Sequence, residues 1–136
     1  MDAYRSRISG PLLDRVDIIM EVPAVNFEDL RRRQEAEPSS AIRQRVNAAR
    51  KVQHMRFYER GGMCNARMGP DELRNYCRLD EESEVLMRQA FDAFGLTARS
   101  YDRILKVART IADLDGSENI TVSHIAEAIQ YRTVEL

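Results

Sequence analysis

The sequence predicts a mainly α-helical bundle with a short strand stub on its N-terminal side, and three observations carry that prediction. From residue 26 onward the apolar residues recur at three- and four-residue spacing, the period of amphipathic helices. One run alone, residues 16–22, alternates with the period of a strand. The balance of 43% hydrophobic against 32% charged residues in 136 is that of a chain able to bury a core, which sets aside disorder and fibrous architectures. No apolar run approaches the ~20 residues that span a bilayer, and the opening Met-Asp-Ala-Tyr-Arg lacks the basic and apolar regions of a secretion signal. The chain therefore reads as cytoplasmic and without a membrane partner, with Cys64 and Cys77 as reduced thiols.

In Val16-Asp-Ile-Ile-Met-Glu-Val22, residues Val16, Ile18, Met20 and Val22 fall on one face, and Pro23 ends the run. A lone strand leaves its backbone unsatisfied, so this segment is expected to belong to a sheet whose other strands lie elsewhere, which makes the chain look like a fragment. Before it, Ser9 to Arg15 reads as a short helical turn with Pro11 near its start. Asn26 to Arg33 forms a short helix, and Glu35 to Ser40 a turn.

A long helix follows from about residue 40 to 60. Its expected buried side is Ile42, Val46, Ala49 and Phe57, and its polar side is Arg43, Asn47, Arg50, Lys51 and His54. Gly61-Gly62 stops it, and Pro70 opens a helix with Leu73, Tyr76 and Cys77 on one stripe. Asp80 caps the next helix, whose first turn is acidic and which Gly95 closes. After Thr97, residues Tyr101, Ile104, Leu105, Ala108, Ile111 and Ala112 hold helical spacing, while Arg99, Arg103, Lys106, Thr110 and Asp113 line another face. Gly116 ends that helix, and a last one from about Val122 to Arg132 buries Val122, Ile125, Ala126 and Ile129. The result is a bundle of four or five helices.

Several chemistries are set aside by spacing. No glycine-rich segment is followed by Lys-Ser or Lys-Thr, so the chain has no phosphate-cradling loop and is not expected to bind ATP tightly or hydrolyse it alone. Asp113-Leu-Asp115-Gly116 has its glycine too early for a calcium loop, and Cys64 and Cys77 lack the neighbouring Cys or His of a zinc site. No metal site is expected, and His124 reads as a solvated or capping histidine. Between residues 40 and 60, six cations face the single acid Glu59. Arg43, Arg50 and Lys51 on that helix either stand in solvent or contact nucleic acid or an acidic neighbouring subunit. Of the 21 basic residues 19 are arginine, whose planar fork fits phosphate oxygens.

Three segments resemble one family. Arg7-Ile-Ser-Gly-Pro-Leu-Leu-Asp-Arg15 with the following strand is similar to the end of the ATPase core in magnesium-chelatase-like AAA+ proteins, in the branch of the competence protein ComM, also called YifB. Cys64-Asn-Ala-Arg-Met-Gly-Pro-Asp-Glu-Leu-Arg74 and Leu96-Thr-Ala-Arg through Asp115-Gly116 resemble the helical C-terminal domain of that branch. The resemblance implies that residues 1–25 are the tail of an AAA+ core and residues 26–136 a helical lid with an inserted long helix at about 40–60. It implies a parent that hydrolyses ATP with magnesium, assembles as a homo-oligomeric, hexameric ring and drives branch migration of DNA, while the chain alone is mainly monomeric. It also implies that Arg15 is the arginine finger and Arg99 the sensor 2 arginine, acting within its own subunit or across the interface. The residues themselves leave Arg15 an alternative, a salt bridge to Asp14 or Asp17. A different reading of the whole is a free-standing helical DNA-binding module with Val122 to Arg132 as recognition helix.

Overall fold

The computed structural model describes residues 15–24, 27 and 36–132. Among them are five α-helices, α1 (Ser39–Arg56), α2 (Pro70–Tyr76), α3 (Glu81–Phe94), α4 (Ala98–Leu114) and α5 (Val122–Gln130), with 3-10 turns at Tyr58–Arg60 and Asn65–Arg67. This is the predicted bundle. The helices expected over Ser9–Arg15 and Asn26–Arg33 lie, but for Arg15 and Phe27, outside the described residues.

The boundaries follow local chemistry. Asp80 accepts a hydrogen bond from the Ser83 N–H at 2.8 Å and caps α3, whose C-terminus turns on Gly95 at φ 59°. Thr97 caps α4 by accepting from the Ser100 N–H at 3.1 Å. At its other end Gly116, at φ 70°, lets the Ser117 N–H reach back to the Ala112 carbonyl at 2.8 Å, a left-handed closure that costs any residue with a Cβ. His124 caps α5: its Nδ1 accepts the Thr121 N–H at 3.1 Å, and the ring is buried. Of the two expectations for His124, capping is the one realised.

Helix α4 is the axis of the bundle. Ile104, Leu105, Ala108 and Ala112 are buried on it and meet Ile125, Ala128 and Ile129 of α5, Met87 and Ala90 of α3, Leu73 and Cys77 from the α2 side, and Phe57 and Met68. The Ile, Leu, Met and Phe side chains among them each contribute about 1.5–3 kcal/mol on full burial.

Three expectations need correction. Residues 16–22 form no strand: among the described residues the one backbone bond made there runs from the Ile19 N–H to the Tyr131 carbonyl at 2.8 Å. The alternation is present, but among the described residues no strand lies alongside it to complete a ladder. The long helix ends at Arg56 rather than near residue 60, and tightens into the 3-10 turn before Gly61. Its supposed buried side is half right: Ala49 and Phe57 are buried, but Ile42 and Val46 are each 44% exposed.

Candidate functional site

Asp113, which the spacing sets on another face of its helix than the apolar stripe, is buried and is a densely connected polar group among the described residues. Asp113 on α4 receives Arg56 of α1 in two parallel bonds, Nη1 to Oδ2 at 2.8 Å and Nη2 to Oδ1 at 2.6 Å. The Nε of Arg109 adds a third bond at 3.1 Å, and the Asn65 amide a fourth at 2.8 Å. Asn65 also accepts from Arg56 at 2.9 Å, and its backbone N–H donates to the Gln53 side chain at 3.2 Å. Arg109 spends its remaining donors on the Ser117 and Glu118 carbonyls, both at 2.7 Å. Burial pushes the Asp113 carboxyl upward, but the Arg56 and Asn65 hydrogen bonds and the two guanidinium charges outweigh it and hold it below the usual carboxylate range.

This knot ties α1, the 65–67 turn, α4 and the Gly116 turn together. It draws Asn65 from one and Arg109 and Asp113 from the other of the two helical segments that carry the family resemblance, so those segments encode architecture as well as chemistry. Asp113, the first acid of the rejected calcium pattern, is committed to two arginines. The signal missed in the sequence was Arg109 and Asp113 at i and i+4 beside a buried stripe.

Arg15 and Arg99 are both exposed, Arg15 before the extended segment and Arg99 in the first turn of α4. Arg132 joins their neighbourhoods: its guanidinium donates to the Val16 carbonyl and, at 3.1 Å, to the Ser100 hydroxyl. Asp17, one of the acids set against Arg15 in the sequence, is paired with Arg103 of α4. The backbone following Arg15 and the helix start carrying Arg99 are therefore fastened at one corner. Arg43, Arg50 and Lys51 lie elsewhere, exposed along α1, which carries five cations and no acid. Helix α5 spends His124, Ile125, Ala128 and Ile129 on the core, and Glu127 is on its exposed side.

Cys77 is buried, and burial pushes its thiol up to about 11, whereas Cys64 is half-buried in the loop. Among the described residues no group of His, Cys, Asp and Glu could hold a metal ion, and no helix is long and apolar enough to cross a membrane.

Residues 36–132, all five helices and the buried knot, match the family described as the C-terminal domain of magnesium chelatase subunit ChlI. The chain belongs to this family. Residues 1–30 match the companion family of the magnesium chelatase ChlI subunit itself. Among similar proteins, competence protein ComM of Haemophilus influenzae is 39% identical over 96% of this chain and 25% of its own length. The YifB proteins of Escherichia coli and Salmonella typhimurium are 38% and 36% identical over 97% of this chain and 26% of theirs. The chain thus spans about a quarter of the length of the curated relatives it matches.

Proposed function

We propose that this chelatase-type helical domain is the lid of an AAA+ ATPase motor, residues 1–25 ending the core and residues 26–136 forming the lid, and that it presents two arginines to ATP in a ring acting on DNA. The parent supplies ATP and magnesium sites through its core. This chain's share is positive charge for phosphate oxygens. Arg15, as arginine finger, neutralises charge that builds on a neighbour's γ-phosphate during transfer, and Arg99, as sensor 2, couples lid position to the nucleotide. Arg43, Arg50 and Lys51 face nucleic acid or the adjoining subunit.

The observation that supports this reading is the Arg132 clamp, which fixes the segment beginning at Arg15 against the helix that begins beside Arg99. Each arginine needs such a support, whether Arg99 acts in its own subunit or across the interface, because a loosely held arginine loses its stabilising effect to reorganisation. In the intact parent, Arg15→Ala is expected to lower ATP hydrolysis by ~10³-fold or more with ATP affinity nearly unchanged. Arg99→Ala is expected to lower both. Unchanged hydrolysis by an assembled Arg15→Ala ring would overturn the finger assignment, and a large loss of thermal stability in Arg99→Ala would make that residue a structural tie.

A further inference from the structure

Helix α1 carries Arg43, Asn47, Arg50, Lys51 and His54 at spacings that set them along one outward stripe, and all five are exposed. The stripe ends on an aromatic ring: His54 meets Tyr58 edge-on with centroids 6.1 Å apart, and Tyr58 is 71% exposed. The turn is shaped to allow this. Gly62 has φ 75°, and a Cβ there would fall 2.9 Å from the His54 Nδ1, so glycine lets the chain close over the imidazole.

Beside Tyr58 opens a recess of about 540 Å³ whose lining includes Met55, Arg60, Asn75 and Tyr76. Tyr76 is 38% exposed and held in orientation by the buried Phe57 ring, edge-on at 5.6 Å, and by the Arg56 guanidinium 5.7 Å from its centroid. Of the acids lining the recess, Glu72 is paired with Arg60 and accepts the Gly69 N–H at 2.8 Å, which leaves Glu59 at the edge. A cationic stripe, a solvent-facing tyrosine that the core does not use and an open recess behind it form a continuous surface.

We propose that this surface is a track for single-stranded nucleic acid, with phosphates along Arg43, Arg50 and Lys51 and a base stacked on Tyr58 at the mouth of the Tyr76 recess. The proposal rests on the nucleic-acid reading of the α1 face and deepens it by assigning strandedness and a stacking residue. From Arg43 to Tyr58 the track is ~22 Å long at the helical rise, room for a few nucleotides. A duplex keeps its bases paired and cannot offer one to Tyr58, whereas every unpaired base has a face to stack.

The test is fluorescence anisotropy of this chain with a labelled oligothymidylate of ~16 nucleotides, the upper site size of such grooves, beside a duplex of equal length. The single strand should bind more tightly, Tyr58→Ala should weaken it about 10-fold or more, and Tyr58→Phe should retain affinity because the stacking face survives. Lys51→Ala should reduce the salt dependence of binding by about one phosphate contact. Thermal melting of each variant, expected at the unmodified temperature for an exposed ring, separates binding loss from unfolding. Equal affinity for the duplex, unchanged binding by Tyr58→Ala, or equal loss in Tyr58→Phe would overturn the stacking track while leaving a cationic nucleic-acid face. No polynucleotide binding even at low salt would overturn that face as well.

Discussion

Replacing Asp113 by Asn removes one negative charge and almost no volume, so it isolates what the buried carboxylate does. Its side chain is fully buried, and it is bonded by Arg56, which is 12% exposed, and Arg109, which is 4% exposed. An amide in its place turns an –NH₂ toward one of two guanidinium groups and leaves both cations without a counter-charge. Removing one partner of a buried ion pair costs about 3–5 kcal/mol. Arg109 keeps its two carbonyls and Arg56 keeps Asn65, which argues for the lower part of that range. For a chain of this size the loss corresponds to a melting temperature lower by about 10 °C.

The pH dependence carries the same signature. The Asp113 carboxyl titrates below its unfolded value, so its contribution is fully present above the unfolded carboxylate range and is lost as pH falls through the lower, folded value. Calorimetric melting of the unmodified and Asp113→Asn chains at pH 7 and down through the acid range should show the two curves converging toward low pH. A loss below about 1 kcal/mol at pH 7, or a gap that does not narrow on acidification, would refute the reasoning.

The remaining predictions concern thiols and nucleotide. Cys64 should react with a thiol reagent in the folded chain while Cys77, buried and raised to about 11, reacts only on unfolding; equal rates for both would contradict that burial. Titration calorimetry with magnesium-ATP should give no micromolar binding to this chain, because its sequence has no glycine-rich segment followed by Lys-Ser or Lys-Thr to cradle the phosphates. A micromolar dissociation constant would overturn the division of labour between lid and core.

The caps and the core stripe were legible in the sequence because each is local. Asp80, Thr97, Gly95 and Gly116 act within four or five residues, and the 101–112 spacing needs only a helix to make a face. Misreadings came where a distant element decides. Ile42 and Val46 repeat with Ala49, yet both stay 44% exposed where Ala49 is buried, because which part of an apolar stripe is covered depends on packing against other elements. Asp113 looks like a surface acid until Arg56, 57 residues away, closes on it. Arg15 and Arg99 were singled out by resemblance, and no spacing rule foretells that Arg132 fastens the backbone beside both. Tyr58 has no signature in the helical spacing, since its exposure depends on the turn at Gly61-Gly62 rather than on helical period.

The bond from Ile19 to Tyr131 makes the intervening chain a nearly closed circuit, entered and left through one seam. Arg132 with Val16 and Asp17 with Arg103 are stitched along the same seam. Force applied at the Arg15 end of the extended segment therefore enters the helices at the start of α4 and the end of α5, and the Asp113 knot is one of the ties that carry it on to α1. Such wiring makes the seam one joint: lifting the segment after Arg15 off the bundle means breaking the Ile19, Arg132 and Asp17 bonds together.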